Sequence, residues 1–121
     1  MSTDAYLSSL NKLTEISSLE DGWNGYGAEK FTEDHIKIVQ SILFDLSYNS
    51  VPEPEVFPTG RNSIQLEWET DEVYVEAEVY EDGRIETFTE VKNVTALDLC
   101  NWVTAVQGWV AKNEESNHQR Y

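Results

Sequence analysis

The chain has 121 residues, of which 23 are acidic and 8 are basic, so its net charge is −15. This length suits one domain with a modest core. A surface this acidic repels phosphate, so we expect no direct binding of nucleic acid and no membrane contact, and a protein with a basic surface is the natural partner.

Two N-terminal helices are predicted from apolar residues at helical spacing. The first presents one apolar face, which we interpret as a core face, with a partner-binding helix as the alternative. The second begins after a Thr32 cap and runs to about Tyr48, and His35 is interpreted as a solvated residue in its first turn. The face of the first helix comprises Tyr6, Leu7, Leu10, Leu13 and Ile16.

The segment between these helices reads Leu-Glu-Asp-Gly-Trp-Asn-Gly-Tyr-Gly-Ala from Leu19 to Ala28. Its three glycines and one asparagine require a tight, partly left-handed backbone. We expect a structural loop in which Trp23 and Tyr26 plug the end of the core, with their polar tips bonded to backbone groups. A small-ligand pocket at the two rings is the alternative.

An antiparallel meander is predicted from Ser63 to Val91, where apolar and polar residues alternate, and residues 55–57 indicate a further edge strand. The turn before Arg84 allows two registers. A two-residue loop would place Glu86 on the core face. A three-residue loop with a left-handed Gly83 pairs Val79 with Ile85 instead, and we favour it because it keeps the carboxylates outside.

The outer face of this meander, which we name the acidic face, collects glutamates and aromatic rings. Facing glutamates repel one another, and glutamate is a poor strand former. Carboxylates spaced about 5 to 7 Å apart resemble a phosphate backbone, which favours a basic partner, while a solvated face that promotes solubility is the alternative. The predicted partner-binding residues are Glu67, Glu69, Glu76, Glu78, Glu86 and Glu90, with Tyr74, Tyr80 and Phe88 as anchors.

A C-terminal helix is predicted to end at about Asn113, so the domain spans residues 1–113 and a flexible polar tail spans 114–121. Its apolar surface around Trp102 and Trp109 could pack within the subunit, form a homodimer or bind another protein in an antitoxin-like role.

The sequence offers little for catalysis. His35 and His118 are the only histidines, and Cys100 is the only cysteine. We therefore expect no catalytic residues, no metal site and no cofactor, and a protein that is not an enzyme. A weak calcium site at Glu69, Asp71 and Glu72 is an alternative to a turn. The lone cysteine and the lack of a long apolar run favour the cytoplasm.

Two stretches resemble a family of small bacterial proteins without assigned activity. These share a Gly-Trp-x-Gly-Tyr-Gly-Ala loop before a helix, matched at Leu19 to Ala28, and a Pro-Thr turn before a strand ending in Leu-Glu-Trp, matched at Val56 to Trp68. The resemblance covers about residues 7–90 and carries no catalytic residues. In size and acidity the chain is also similar to phage-encoded inhibitors of bacterial defence, such as anti-CRISPR and anti-restriction proteins.

The fold that we expect is α+β, with an antiparallel sheet of three or four strands and helices, two N-terminal and one C-terminal, packed on one face. The expected function is non-catalytic inhibition through nucleic-acid mimicry, in which the acidic face blocks the basic nucleic-acid-binding surface of a bacterial defence protein.

Overall fold

The computed structural model describes residues 6–49, residues 51–92 and Val106, and it confirms the α+β fold. Four antiparallel strands form one sheet in the order β1-β2-β3-β4. The predicted C-terminal helix and tail, with Cys100, Trp102, Trp109 and His118, lie outside the described residues, except that Val106 is helical and buried. The elements are α1 Leu7–Ser17, α2 Glu33–Tyr48, β1 Glu55–Pro58, β2 Ser63–Glu69, β3 Val73–Tyr80 and β4 Ile85–Val91.

The strand register confirms the three-residue loop between β3 and β4. Val79 lies opposite Ile85, so Glu86 stays on the outer face. Gly83 has a φ of 88°, in the left-handed region, and its N–H donates to the carbonyl of Tyr80. A side chain at this φ would be strained, which is why the turn takes glycine. The turn therefore sets which residues of β4 point outward.

The core lies between the inner face of the sheet and the two helices. Helix α2 is capped by Thr32, as predicted, through a hydrogen bond from the His35 N–H. The prediction of a solvated His35 is wrong. Its ring is buried, with Nε2 2.9 Å from the carbonyl oxygen of Val79, and it packs against Phe31 at 5.5 Å between ring centroids. A single imidazole thus joins the start of α2 to β3.

Helix α1 buries a face that differs by one residue from the predicted one. Tyr6, Leu13 and Ile16 are buried, but Leu7 is exposed, and the small Ser9 takes an inner position. At helical spacing, Ser9 continues the row of Tyr6, Leu13 and Ile16 more closely than Leu7 does. The hydroxyl of Ser9 donates a hydrogen bond to the carbonyl of Pro54, so a polar residue is tolerated at this buried position.

The extended linker between α2 and β1, residues 51–54, is held by side chains from two elements. Tyr6 donates to the carbonyl of Val51 at 2.6 Å, and the indole of Trp68 donates to that of Pro52 at 2.7 Å. Glu53 accepts the backbone N–H of Ser9 at 2.7 Å, which caps α1 where Tyr6 supplies no side-chain cap. Burial and the nearby Glu53 carboxylate raise the pKa of Tyr6 far above its ordinary value.

The loop from Leu19 to Ala28, which we name the aromatic loop, has the predicted left-handed glycines, but only one of its two aromatic rings packs on the core as predicted. Gly22, Gly25 and Gly27 all have positive φ. Trp23 is half-buried, stacks against Phe31 at 6.0 Å and donates to the carbonyl of Glu29. Tyr26 does not plug the core, since it is 92% exposed. Its backbone N–H donates to the Asn24 side chain, so the loop holds this ring outward rather than inward.

Candidate functional site

The acidic face is organised in rows that run across the strands. In the middle row, Glu55 on β1 lies opposite Glu67 on β2, which lies opposite Glu76 on β3, which lies opposite Phe88 on β4. Residues directly opposite on one face have Cβ atoms about 5 Å apart. Three carboxylates therefore stand side by side across three strands.

The neighbouring rows extend the same pattern on both sides. One row places Glu78 between Gln65 and Glu86, and the other places Tyr74 between Glu69 and Glu90. All nine predicted partner-binding residues thus share one face of the sheet, and whether that face binds a partner stays a prediction. Sequence reasoning left out Glu55, although the alternation in residues 55–57 could have placed it there.

Two neutral donors hold the central pair of carboxylates together. The hydroxyl of Tyr74 donates to Glu76 at 2.6 Å and lies 3.2 Å from Glu67. From the other side, the Gln65 amide nitrogen is 3.1 Å from Glu76 and 3.2 Å from Glu67. The hydrogen bond to Glu76, followed by burial and the two negative charges, raises the pKa of Tyr74 far above its ordinary value. Repulsion between Glu67 and Glu76 is offset without any positive charge.

The cations of the sheet lie at its rim. Arg61, before β2, pairs with Glu78 at 3.1 Å, and Arg84, before β4, pairs with Glu86 at 3.2 Å. Lys92, just after β4, pairs with Glu69 at 2.7 Å. Four of the seven glutamates on the face have no ion-pair partner among the residues that the structure describes, so the negative charge is concentrated away from the rim. These four are Glu55, Glu67, Glu76 and Glu90.

Glu78 is the most enclosed of the rim carboxylates, with 14% of its side chain exposed. Burial alone would raise its pKa, but hydrogen bonds from Ser63 and Arg61 and the Arg61 charge outweigh burial and hold that pKa below its ordinary value. A carboxylate held in this way is part of the sheet's internal bonding. Glu78 is therefore less free to meet a partner than the central and outermost glutamates.

The three predicted aromatic anchors of the face have different surroundings. Phe88 is 54% exposed and lies 6.3 Å from Tyr74, tilted at 57°. The ring of Tyr80 lies 4.1 Å beneath the Arg84 guanidinium, and its hydroxyl donates to Glu86. Desolvation and that hydrogen bond raise the pKa of Tyr80. Phe88 is thus an exposed apolar side chain at the β4 end of the middle row.

In the described ranges, no group of three His, Cys, Asp or Glu residues is placed to hold a metal ion. The segment proposed as a weak calcium site, Glu69 to Glu72, forms a turn. The Thr70 hydroxyl oxygen accepts the N–H of Glu72 and of Val73, and the Thr70 N–H donates to the carbonyl of Val73. The turn is therefore organised by a threonine and not by its carboxylates.

Within the residues that the structure describes, neither helix has the length and apolar character needed to cross a membrane. Comparisons with family models, with curated proteins and with solved structures gave no match. The acidic face is therefore interpreted from its own chemistry.

Proposed function

We propose that this chain is a non-catalytic inhibitor that binds a basic nucleic-acid-binding surface of another protein through its acidic face, with a bacterial defence protein as the target class. The observation that supports this proposal best is the middle row of Glu55, Glu67 and Glu76, in which neutral donors bridge the charges and cations occupy only the rim. The arrangement preserves a negative field at the centre of a flat surface.

Spacing supports mimicry of nucleic acid. Adjacent strands lie about 4.8 Å apart, so carboxylates in a row are separated by about 5 Å. Duplex DNA carries one charge per about 1.7 Å of its axis, or one per about 3.4 Å of axis for each strand. The charge spacing of about 5 Å in the row is somewhat wider than the axial spacing of about 3.4 Å for one DNA strand, but of the same order. A groove lined with Arg and Lys would exchange its counterions for these carboxylates.

The exposed Phe88 favours binding over simple solubility. Glutamates alone would keep the surface hydrated, and a 54% exposed phenyl ring among them adds apolar area that solubility does not need. At an interface the same ring would bury apolar area and contact basic side chains through its face. The described helices pack on the opposite side of the sheet and leave this side open.

The test uses exposed residues whose reversal leaves the internal bonding of the sheet intact. The side chains of Glu55 and Glu90 make no hydrogen bond within the described part of the chain, so Glu55→Lys with Glu90→Lys changes the field and spares the bridges of Tyr74 and Gln65. The matched control is Glu15→Lys with Asp45→Lys, two exposed helical residues without an ion pair in the described part of the chain, which changes the net charge equally on the helical side.

Tagged wild-type, reversed and control proteins are used to capture partners from bacterial lysate at low and high salt. We expect the wild type and the control to capture a nucleic-acid-binding protein at low salt, to lose it at high salt, and to displace nucleic acid from it in a gel shift. The reversed variant should do neither. Equal capture by all three proteins would refute the acidic face as the binding surface.

Retention of a partner at high salt would support the antitoxin-like alternative through an apolar helix surface. The ligand-pocket alternative at Trp23 and Tyr26 has weaker support, because one ring stacks on Phe31 and the other stands in solvent.

A further inference from the structure

Strand β4 is the least covered strand of the sheet. Within the described residues it pairs only with β3, and its outer edge pairs with no strand. Past Ile85, its inner-face residues Thr87 and Val91 are exposed, Val91 by 43%. The other edge strand, β1, is short and ends in Pro58, which limits pairing there. Among the described strands, β4 is thus the one long strand whose outer edge is unpaired.

The hydrogen bonds around β4 show which backbone groups face this edge. The Tyr80 N–H donates to the carbonyl of Arg84 at 2.9 Å, and the Lys92 N–H donates to that of Glu72 at 2.8 Å. Antiparallel ladders alternate, so even-numbered residues of β4 bond to β3, and odd-numbered ones point their N–H and C=O outward. Within the part of the chain that the structure describes, Ile85, Thr87, Thr89 and Val91 therefore present a row of backbone donors and acceptors that pair with no strand.

We propose that β4 pairs antiparallel with β4 of a second copy of this chain, with the two-fold axis at Thr87, so that two sheets become one sheet of eight strands. This inference concerns the backbone edge of β4, which borders the acidic face and shares Glu86, Phe88 and Glu90 with it, and it goes beyond the proposed function.

Charge complementarity selects this register among those centred on Glu86, Thr87 and Phe88. Centred on Phe88, the pairing would set Glu86 against Glu90 twice, and centred on Glu86 it would set that carboxylate against itself. Centred on Thr87, it sets Arg84 against Glu90 twice and places Glu86 beside Phe88. Opposite charges facing across strands stabilise a sheet and like charges destabilise it.

A register centred on Thr89 would need Lys92 to meet Glu86, but Lys92 is already held by Glu69 at 2.7 Å and by the carbonyl of Thr70 at 3.1 Å. The Arg84 side chain is 58% exposed. Its guanidinium bonds Glu86 through one nitrogen, which leaves further N–H groups for Glu90 of the second copy.

Shape agrees with the same register. Beside Ile85 and Gly83 lies an open groove of about 330 Å³ between the sheet and α2, partly lined by Ile38 and Ile42. Pairing about Thr87 sets Val91 of the second copy opposite Gly83, which has no side chain. The exposed valine of each copy then lies over the isoleucines of the other copy's groove, which removes apolar surface of both from water.

Cross-linking tests the register directly. In a Cys100→Ser background, Thr87→Cys places two thiols opposite one another with Cα atoms about 5.5 Å apart, within disulfide range. We expect mild oxidation to shift this variant from the monomer mass of 13.9 kDa to twice that mass on a non-reducing gel. The matched control, Thr89→Cys, should run at the monomer mass on the same gel, because its thiols would be separated by four residues of strand and cannot cross-link the pair.

A charge swap tests the same contact without cysteine. Arg84→Glu should lose the dimer in sedimentation equilibrium, and Arg84→Glu with Glu90→Arg should recover it. Because each copy carries −15, moderate salt should increase dimer formation, which is opposite to the salt dependence of the proposed partner binding.

Three results would overturn the inference: equal cross-linking of Thr87→Cys and Thr89→Cys, no recovery in the swapped variant, or a wild type that stays monomeric at every salt concentration. A monomeric protein that still captures a basic partner would leave the proposed function intact. A dimer that captures no basic partner would support the pairing of β4 and contradict the proposed function.

Discussion

Removing one hydroxyl group from the centre of the acidic face should destabilise the protein measurably. Tyr74→Phe deletes the donor that lies 2.6 Å from Glu76 and 3.2 Å from Glu67, and it leaves ring packing against Phe88 unchanged. Hydrogen bonds to charged groups contribute about 1.5 to 3 kcal/mol, and partial exposure places this one lower, so we expect a loss of about 1 to 2 kcal/mol in the free energy of unfolding. Part of that loss is the unrelieved repulsion between the two carboxylates.

The assay is urea unfolding at neutral pH, followed by tryptophan fluorescence, with Tyr80→Phe as the matched control. That control removes a hydroxyl bonded to the exposed Glu86, so its loss should be much smaller. Adding Glu67→Gln to Tyr74→Phe should restore stability, because it removes the charge that the hydroxyl held in place. Equal losses for the two tyrosine variants, or no recovery in the double variant, would refute the bridging role of Tyr74.

Three further predictions concern the framework around the face. His35→Ala should lower the free energy of unfolding by about 2 to 4 kcal/mol in urea, because it leaves a cavity beside Phe31 and an unpaired carbonyl at Val79. A decrease no larger than that of a substitution at an exposed site would contradict the buried role of His35. Gly83→Ala should lower the free energy of unfolding by about 1 kcal/mol, because its φ of 88° disfavours a Cβ, and an unchanged melting temperature would show that the turn relaxes. The raised pKa values of Tyr6 and Tyr74 mean that the folded chain keeps protons that the unfolded chain releases above pH 10.0. The free energy of unfolding should therefore be highest below that pH and fall as pH rises through the folded pKa values. Tyr74→Phe should make this fall with pH shallower, as measured by urea unfolding at several alkaline pH values.

The sheet was predictable because its signals are local and redundant. Alternation placed Glu67, Glu76 and Glu86 on one face, and the cost of burying a carboxylate selected the loop at Gly83. The helix start at Thr32 was equally local, because a cap acts within its own first turn.

The errors arose where a side chain finds its partner far along the chain. His35 looked like a solvated residue in a polar first turn, and only the packing of α2 on β3 supplies its acceptor at Val79. Tyr26 looked like a core plug because a large ring in a short loop suggests burial, whereas the Asn24 side chain fixes the loop with that ring outside. The bridge of Tyr74 could not be predicted, since it depends on the rotamers of two glutamates on separate strands.

The linker of residues 51–54 has consequences for how the chain folds and how it can be engineered. Its backbone carbonyls are acceptors for Tyr6 from one end of the chain and for Trp68 from the sheet, so the first helix and the sheet cannot open independently at this point. We expect the linker to open together with α1 and the sheet in hydrogen exchange, although it has no regular secondary structure. A tag, an inserted domain or a new terminus would be accepted at the solvent-facing tip of the aromatic loop and rejected here.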